Sequence, residues 1–471
     1  MSPFRHLMIT LSAAALAAAS PAPTPGESFA AEVVALAGST TFDAATWLAA
    51  HGLAAQDADA AAVLGALRRA GPIELVSLNE QGTLLETTMR RKADGRSFRV
   101  VGVAAKDGPG KLRALFAVPV PTPYTMPAFA GPLSEADLKK AVDARVSFAA
   151  ERDEFSGTVL VMHGDRVVYA RSVGQADREA GAANGPDTKF NIGSMGKMFT
   201  AVAVMQQVEA GKLSLDTTVG QVLPDYPNEA ARAVTVRQLL NHSAGLGNLW
   251  ERKGWNRTGR YPTAASVLPV FAAEPLMFAP GSRAGYSNEG FVLLSAMVER
   301  LAGVPFPAYV ERHILAPAGM HDTSQADQDQ PLAGRAMGYR YAEADLLGLG
   351  DRERMPEPIS LGSNGAGGQF ATAADMLRFL QALRGGELIS ARSLATLVAP
   401  GGGQRNYGLG FERDADGALI GHDGGGPHSG VNADAKIAPV TGWSYAVMGN
   451  YDAPFAQVLG KDIGELLTAM D

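Results

Sequence analysis

The spacing of hydrophobic and polar residues changes along this chain and predicts two blocks of secondary structure. In the first block, helical periodicity at residues 42–51 and 57–69 comes before four short runs with the composition of strands. These runs cover residues 73–78, 83–91, 98–105 and 112–118. Because turn-forming residues separate the runs, residues 27–118 are predicted to form a small α+β accessory domain.

A Pro-rich stretch at residues 119–133 predicts a stiff linker, and a second domain is expected over residues 134–471. Its predicted helices cover residues 134–152, 194–210, 234–241, 289–302, 306–314, 373–384 and 454–470. Its predicted strands cover residues 156–162, 166–172, 407–413, 418–422, 431–437 and 443–450. A polar tract rich in Pro and Gly within residues 304–360 is expected to form a lid or to line a substrate site.

Composition narrows the class of protein. Of the 471 residues, 46% are hydrophobic and 19% are charged, as in a globular protein. The net charge of −7 and the lack of a basic run argue against a nucleic-acid partner, and the lack of cysteine excludes disulfides and cysteine nucleophiles. Residues 1–19 have a positive start, an apolar run and small residues, which predicts a cleavable signal peptide and a periplasmic or secreted protein. No later run is long and apolar enough to predict an integral membrane segment in the mature chain.

A serine and a lysine stand three residues apart at the start of one predicted helix, at Ser194 and Lys197. Residues at this spacing share a helix face, so the amine can lie beside the hydroxyl. A serine needs a base in order to act as a nucleophile, and a lysine can serve once burial lowers its pKa from about 10.4. Only Lys197, of all the lysines, has a serine three positions before it. The alternative is a serine that caps the helix and a lysine in solvent.

Two more polar motifs follow in chain order. Tyr286-Ser287-Asn288 comes after a predicted Pro-Gly turn and before a helix, and His422-Asp423-Gly424 lies on a predicted strand near the end of the chain. Tyr-x-Asn also occurs at residues 226–228, and His-x-Gly recurs at His428, so neither motif is specific alone. The order and structural settings of the three motifs are much harder to obtain by chance.

The motifs resemble those of the serine β-lactamase-related superfamily, in particular its class C-like branch. That branch contains class C β-lactamases, D-alanyl-D-alanine carboxypeptidases, D-aminopeptidases and related esterases. The resemblance covers about residues 135–470 and includes the stretches 239–246, 280–288, 365–376 and 407–411. It implies an α/β fold of the β-lactamase/transpeptidase type, in which helices flank an antiparallel sheet and form a helical subdomain. The small α+β domain lies outside the resemblance and precedes this fold.

The resemblance also implies roles for the first two motifs. Ser194 would attack a carbonyl and form an acyl-enzyme, and Lys197 and Tyr286 would share the proton transfers. A phenol has an ordinary pKa near about 10, so Tyr286 would need help from Lys197 to act as a base near neutral pH. Asn288 would hold either a substrate amide or the lysine.

On the predicted strand, the resemblance implies that His422, Gly424 and Gly425 lie along the substrate. The oxyanion would sit between the backbone N–H groups of the nucleophile and of Gly425. Class C β-lactamases have Lys-Thr-Gly here, so His-Asp-Gly is a departure that puts efficient β-lactam hydrolysis in doubt. Asp423 adds a negative charge where an anionic substrate would lie. A second His-x-Gly register, beginning at His428, remains an alternative for the strand that lines the site.

Three functions remain open at this point. The first is an exported serine hydrolase that acts through a Ser194 acyl-enzyme on an ester or a peptide-like amide. The second is a class C-like β-lactamase, and the third is a penicillin-recognising sensor or binding protein without turnover. The expected partner is a small-molecule or peptide-like substrate, and the sequence contains no metal-site motif that would predict a metal or cofactor. His242 is predicted to be a structural residue at a helix end, and Glu289 an acid in a first helical turn.

Overall fold

In a computed structural model, the chain divides into two compact units. The smaller unit comprises Met1–Thr125, Glu151–Glu154 and Arg340–Glu353, and the larger comprises Met126–Ala150, Phe155–Tyr339 and Arg354–Asp471. The structure describes residues 23–470 with the exception of positions 38, 40, 55, 56, 107–109, 130–132, 254, 257–260, 326–331, 343, 356–363, 402, 403, 415 and 427. The predicted signal peptide at residues 1–19 therefore lies outside the described residues.

The smaller unit packs three helices against an antiparallel sheet. The helices are α1 (Pro25–Leu36), α2 (Ala44–Ala50) and α3 (Ala58–Ala70). The strands are β1 (Ile73–Gln81), β2 (Leu84–Arg91), β3 (Ser97–Ala104) and β4 (Leu112–Val120), and they pair in the order β1-β2-β3-β4. Val100 and Leu115 of the sheet share one core with Val33 and Leu64 of the helices. This is the α+β arrangement expected from short runs that follow one another along the chain.

Helix α1 is absent from the sequence predictions, which begin their first helix at residue 42. Its start is nevertheless encoded by a capping box, since Glu27 N donates to Thr24 Oγ1 at 3.2 Å and Thr24 N donates to Glu27 Oε2 at 2.8 Å. Pro25 occupies the first helical position, where its missing N–H costs nothing. Phe29 and Val33 then bury one face of the helix in the core of the unit.

A six-stranded antiparallel sheet forms the centre of the larger unit. The remaining strands of the described chain are β5 (Gly157–His163), β6 (Arg166–Val173), β7 (Gln175–Asp177), β8 (Ala182–Ala183), β9 (Phe190–Asn191), β10 (Tyr339–Tyr341), β11 (Arg352–Arg354), β12 (Phe370–Ala371), β13 (Glu412–Arg413), β14 (Ile420–Gly425), β15 (Asn432–Ile437) and β16 (Trp443–Gly449). The large sheet has the order β13-β14-β15-β16-β5-β6. Because β16 pairs with β5, the last strands of the chain continue the sheet begun by the β5–β6 hairpin.

Helices cover both faces of this sheet. The remaining α-helices of the described chain are α4 (Glu135–Glu151), α5 (Gly196–Glu209), α6 (Val219–Val222), α7 (Glu229–Arg232), α8 (Val236–Leu240), α9 (Ala264–Val267), α10 (Asn288–Ala302), α11 (Phe306–Val310), α12 (Ala373–Gly385), α13 (Ala391–Val398) and α14 (Phe455–Thr468). Of these, α12 packs on one face of the sheet and α14 on the other. Alternate residues of a strand face opposite sides. Ala446 of β16 therefore joins the core that contains Phe199 of α5, whereas Val447 joins the core that contains Ile463 of α14. The expected antiparallel sheet with flanking helices is confirmed.

Three predicted segments differ from the structure. Strand β4 continues to Val120, so the first residues of the predicted linker pair within the sheet. The predicted helix at residues 306–314 is α11 followed by a π-helical turn, Glu311–Leu315. The predicted insertion at residues 304–360 is divided between the units, because Arg340–Glu353 belong to the smaller one and bury Leu347 in its core.

The predicted strand at residues 407–413 is reduced to β13. Gly410 has a φ of 84°, which lies in the left-handed region, and a Cβ on Gly408 would lie 2.1 Å from the carbonyl oxygen of Leu397. The chain bends at these glycines instead of continuing as a strand. Tyr407, which precedes the bend, is buried.

The length and hydropathy of each helix show whether it could cross a membrane. Among the described residues, no single helix has the length and hydropathy needed to cross a bilayer. The pair Asn288–Ala302 and Phe306–Leu315 reaches that threshold only when its two helices are taken together, and they are bent by 74° at the break.

Candidate active site

Ser194 lies in a single 3-10 turn, Gly193–Met195, that leads directly into α5. Gly193 has a φ of 50°, and its N–H donates to Asn191 Oδ1 at 2.9 Å, so the preceding strand β9 fixes the turn. Within the described chain, no side-chain hydrogen bond caps either this turn or α5. The alternative prediction, in which Ser194 is a helix cap, is therefore wrong.

Lys197 projects from the first turn of α5 into the protein interior, with an exposed fraction of 0%. Its Nζ lies 3.0 Å from Ser194 Oγ, 2.7 Å from Asn288 Oδ1 and 2.6 Å from the carbonyl oxygen of Ala366. A neutral amine has two N–H donors and one lone pair. Because Asn288 and Ala366 can only accept at these atoms, they take the two N–H groups and leave the lone pair for the hydroxyl proton of Ser194. The alternative of a lysine in solvent is wrong.

Burial sets the protonation states of the two groups beside Ser194. It lowers the pKa of Lys197 from 10.5 to about 7, although the negative charges of Asp423 and Glu412 act in the opposite direction. Burial raises the pKa of the Tyr286 phenol above its ordinary value, and the same two acids raise it further, while the hydrogen bond to Ser194 opposes the increase. Near neutral pH, Lys197 is therefore the group that can accept a proton, and Tyr286 is the group that holds one.

Tyr286 and Asn288 reach the serine from the segment that starts α10. The Tyr286 hydroxyl donates to Ser194 Oγ at 2.7 Å, although 49% of the residue's surface is exposed. Lys197 Nζ lies 4.9 Å from the centre of the Tyr286 ring. Asn288 Nδ2 donates to Asn248 Oδ1 at 3.0 Å, which turns Asn288 Oδ1 towards the lysine. Of the two roles implied for Asn288, the geometry provides the hold on Lys197.

The loop before β12 supplies a contact that the sequence motifs do not predict. Besides the Ala366 carbonyl on Lys197, the Gly365 carbonyl accepts from Thr200 Oγ1 at 2.6 Å. A Cβ on Gly367 would lie 2.0 Å from the carbonyl oxygen of Gly193, so only glycine allows this loop to approach the nucleophile turn. Any residue can offer a carbonyl, which is why the identity of Ala366 gives no indication of its contact.

Strand β14 passes close to the nucleophile turn. A Cβ on Gly424 would lie 2.0 Å from the carbonyl oxygen of Ile192 and 3.1 Å from the backbone nitrogen of Ser194. A Cβ on Gly193 would lie 2.8 Å from the backbone nitrogen of Gly425. The backbone nitrogens of the serine and of Gly425 therefore lie on adjoining segments that only glycines allow to come so close. Of the two His-x-Gly registers, the one that begins at His422 borders the serine.

His422 itself is buried, with an exposed fraction of 1%. Its Nε2 lies 3.3 Å from the hydroxyl oxygen of Tyr407, and its Nδ1 lies 2.5 Å from the carbonyl oxygen of Asp423. Burial lowers the pKa of His422 to about 4, so the ring is neutral near neutral pH. Both ring nitrogens have partners within the protein, and this geometry leaves neither nitrogen for the predicted contact with a substrate.

Acidic groups surround His422. Glu412, His422 and Asp423 place their potential ligand atoms within 4.8 Å of one another. Glu412 Oε2 also lies 3.4 Å from Lys436 Nζ, and both nitrogens of His422 are engaged as described above. The side chains of Glu412 and His422 are thus engaged by other groups of the protein, and Glu412 and Asp423 also line the cavity beside the serine. Burial, with the negative charge of Glu412, raises the pKa of Asp423 to about 7.

A cavity of about 590 Å³ opens onto Ser194. Its volume is in the range of pockets that hold small molecules. Its lining combines polar groups of the site with apolar side chains that the motifs do not identify. The larger of these apolar residues are Trp250, Met337, Met355 and Phe370.

Neither Glu289 nor His242 contacts Ser194 in this structure. Glu289 is fully buried in the first turn of α10 and pairs with Arg252 at 2.6 Å. His242 is buried beside Tyr286, with ring centres 4.5 Å apart. It accepts a hydrogen bond from the backbone N–H of Ser287 at 3.1 Å, so it contacts the segment that carries Tyr286.

Comparison with known proteins decides the family. The family model described as Beta-lactamase matches residues 140–468, which is more than half of the chain. The chain belongs to the Beta-lactamase family. This confirms the resemblance inferred from the motifs.

Two relatives and one solved structure illustrate the similarity. Esterase EstB of Burkholderia gladioli is 31% identical over 285 residues, 54% of this chain and 71% of the relative. Penicillin-binding protein 4* of Bacillus subtilis is 29% identical over 294 residues, 59% of this chain and 64% of the relative. The crystal structure of a penicillin-binding protein from Bacillus halodurans matches with a TM-score of 0.59 and 28% identity, over 70% of this chain and 99% of that one. This match confirms the β-lactamase/transpeptidase-like fold.

The matches with the curated relatives are partial. The chain spans 62% and 64% of the length of the two Bacillus subtilis relatives that it matches. The main segment of the smaller unit, Met1–Thr125, precedes the residues matched by the family model, which begin at 140, whereas its two short segments lie within the matched range.

Proposed function

We propose that this chain is an exported serine hydrolase that acts through a Ser194 acyl-enzyme on an ester or a peptide-like amide. The observation that carries the proposal is the pair of contacts on one hydroxyl. Lys197 Nζ lies 3.0 Å from Ser194 Oγ, and Tyr286 donates to the same atom at 2.7 Å. The first contact provides a base with a lowered pKa, and the second provides a proton donor. Export rests on the predicted signal peptide at residues 1–19.

Acylation begins with transfer of the Ser194 hydroxyl proton to the lone pair of Lys197. The serine oxygen bonds to the substrate carbonyl carbon, and the carbonyl oxygen becomes an oxyanion. The backbone N–H groups of Ser194 and Gly425 stabilise that charge. When the intermediate collapses, the bond to the leaving alcohol or amine breaks. The leaving group takes the proton held by Lys197 through the hydroxyl of Tyr286.

Deacylation repeats these proton transfers with water as the nucleophile. Lys197, neutral again, accepts a proton from water through the Tyr286 hydroxyl, and the water oxygen bonds to the ester carbonyl carbon. The tetrahedral intermediate breaks at the bond to Ser194 Oγ, which regains a proton from Lys197. Asn288 and Ala366 keep their bonds to the lysine in both protonation states, so the amine does not need to move between the steps.

The charge around the strand favours this proposal over a class C-like β-lactamase. Asp423 and Glu412 both line the cavity, and the negative charge of Glu412 raises the pKa of Asp423. An anionic substrate would add negative charge beside these two acids, whereas a neutral ester or amide would not. The relatives include a protein named as an esterase and one named as a penicillin-binding protein, so an acylated protein without turnover is the second candidate.

Three substrates separate the candidates. The chain is incubated with p-nitrophenyl butyrate, a chromogenic cephalosporin and a fluorescent penicillin, and each reaction is repeated with Ser194→Ala. The proposal predicts release of p-nitrophenol over many turnovers, lost in Ser194→Ala, with slow or no opening of the cephalosporin. Fast opening of the cephalosporin would favour a β-lactamase. A stable penicillin adduct without turnover of any substrate would favour the binding protein.

A further inference from the structure

A chain of hydrogen bonds lies behind the serine and contains two histidines that the mechanism above does not use. His242 Nδ1 lies 3.1 Å from the backbone nitrogen of Ser287, and its Nε2 lies 3.1 Å from the hydroxyl oxygen of Tyr407. The same hydroxyl oxygen lies 3.3 Å from His422 Nε2. His422 Nδ1 then meets the carbonyl oxygen of Asp423 at 2.5 Å. His242, Tyr407 and His422 are all buried.

The groups at the two ends of this hydrogen-bond chain fix the position of every proton in it. A backbone N–H can only donate, so Ser287 makes His242 Nδ1 an acceptor and leaves the ring proton on Nε2. His242 therefore donates to Tyr407, and Tyr407 donates to His422 Nε2. His422 then carries its proton on Nδ1 and donates to a carbonyl oxygen, which can only accept. Each donor and each acceptor that His242, Tyr407 and His422 use thus has one partner, and these three side chains are all neutral.

The hydrogen-bond chain joins two parts of the site, the segment that carries Tyr286 and strand β14. Its first end is the segment that carries Tyr286, which His242 contacts twice more. The Gly285 N–H donates to the His242 carbonyl oxygen at 2.8 Å, and the imidazole lies 4.5 Å from the Tyr286 ring. Its other end is strand β14, two residues before Gly424.

His242 has a φ of 59°, in the left-handed region. Histidine, asparagine and aspartate occur in this region more often than other residues with a side chain, and glycine adopts it most readily. Asparagine can therefore replace His242 without a change of backbone conformation.

We propose that His242 and Tyr407 are positioning residues, which act through His422 to hold the hydroxyl of Tyr286 at the leaving group and the backbone N–H of Gly425 at the carbonyl oxygen of one substrate. This inference rests on the proposed function, because it concerns the geometry of the acylation step. The proton order makes the chain a rigid neutral link, whereas a positively charged histidine here would face Lys197.

The test compares two tyrosines that each bridge two polar side chains. Tyr407→Phe removes the hydroxyl that joins His242 to His422 and keeps the ring. Tyr309→Phe is the matched control, since Tyr309 is buried, accepts from Gln207 Nε2 at 2.8 Å and donates to Gln206 Oε1 at 3.0 Å, and does not line the cavity. Steady-state hydrolysis of p-nitrophenyl butyrate, inhibition by phenylboronic acid, which forms a tetrahedral adduct with a reactive serine, and the melting temperature are measured for both.

We expect kcat of Tyr407→Phe to fall by about tenfold or more with KM within about twofold, and phenylboronic acid to bind correspondingly more weakly. Tyr309→Phe should lose a similar amount of melting temperature but keep kcat and boronate affinity. If Tyr407→Phe matches Tyr309→Phe in kcat and in boronate affinity, the inference is wrong. If the unmodified chain neither turns over the ester nor binds the boronate, the proposed function has failed instead.

His242→Asn gives an independent test if Tyr407→Phe does not fold. Asparagine adopts the left-handed backbone and offers an acceptor near Ser287, but it does not reach Tyr407. We expect kcat to fall by about tenfold, with a loss of melting temperature no larger than that of Tyr309→Phe. Unchanged kcat in this variant would contradict a positioning role.

Discussion

Replacing Lys197 by arginine is the substitution that most sharply separates a base from a structural cation. Arginine keeps a positive charge and several donors for Asn288 and Ala366, but its pKa above about 12 prevents it from accepting a proton. With a pKa of about 7, Lys197 is neutral in about half of the molecules at pH 7, whereas at its ordinary value of 10.5 it would be neutral in about one in 3,000.

The expected loss follows from these populations. General base catalysis contributes about 10² to 10⁴-fold to such a step, and the arginine variant should lose that factor in acylation. Acylation is measured as the single-turnover release of p-nitrophenol from p-nitrophenyl butyrate by stopped flow. In the unmodified chain, the rate should rise with pH and level off, with a midpoint near 7, as Lys197 loses its proton.

The matched control is Lys189→Arg, at a lysine of the larger unit that pairs with Asp322 at 3.2 Å and does not line the cavity. It should keep the acylation rate within about twofold. The assignment of Lys197 as the base is refuted if Lys197→Arg acylates within about tenfold of the unmodified chain. It is equally refuted if the acid limb of the unmodified chain has its midpoint at pH 9 or above.

Three further predictions concern neighbouring groups. Asp423→Asn should lower the midpoint of the acid limb, which is the pH range in which the acylation rate rises as Lys197 loses its proton. The reason is that the Asp423 charge stabilises the Lys197 ammonium and raises its pKa. Acylation rates measured over the same pH series give this midpoint. Lys197→Met should alter the pH dependence of stability. The pKa of Lys197 in the folded chain, about 7, lies below the ordinary 10.5, so between these two pH values the unfolded chain binds more protons than the folded chain. The free energy of unfolding of the unmodified chain should therefore rise with pH, relative to that of the variant, by about 1.4 kcal/mol per pH unit. Urea unfolding measures this difference. Gly424→Ala should lower kcat/KM by about 10² or more, since its Cβ would lie 2.0 Å from the Ile192 carbonyl oxygen.

Two of these variants have a matched control variant elsewhere in the chain. Asp416→Asn, at an exposed acid, should leave the acid limb in place, and a shift to higher pH in Asp423→Asn would contradict the sign of the interaction. A stability difference that does not change between pH 7 and 10 would show that Lys197 is not neutral in the folded chain. Gly185→Ala, where a Cβ meets no atom within 4 Å, should retain activity, and equal activity in Gly424→Ala would remove the argument for close approach.

Local sequence patterns predict the elements of this fold better than they predict its interruptions. The β5–β6 hairpin is found close to its predicted position, because two apolar β-branched runs flank a short turn. The run at residues 407–413 has similar composition, yet glycines at 408 and 410 bend it. The steric role of Gly408 depends on Leu397, and that of Gly410 on Ala201; both contacts are close in space and absent from the local pattern. Helix α1 was predictable from Thr24, Pro25 and Glu27, but the proline-rich stretch before it obscured the capping box.

The site shows the same division between side chains and backbone. Ser194, Lys197 and Tyr286 stand in motifs with a chemical rationale, and the structure places both Lys197 and Tyr286 within hydrogen-bonding distance of Ser194. The carbonyl of Ala366 is as close to the lysine as any side chain is, but a backbone acceptor leaves no trace in residue type. Tyr407 is a similar case, because its role depends on two histidines that are distant in sequence.

The position of the acyl group on the protein decides whether Ser194 is the nucleophile. The chain is mixed with p-nitrophenyl butyrate, quenched in acid within the first turnover, digested and mapped by mass spectrometry. The account predicts one butyryl group on the peptide that contains Ser194, formed as p-nitrophenol is released and absent in Ser194→Ala. Turnover of the ester with no acylated Ser194, or with the butyryl group on another residue, would contradict it.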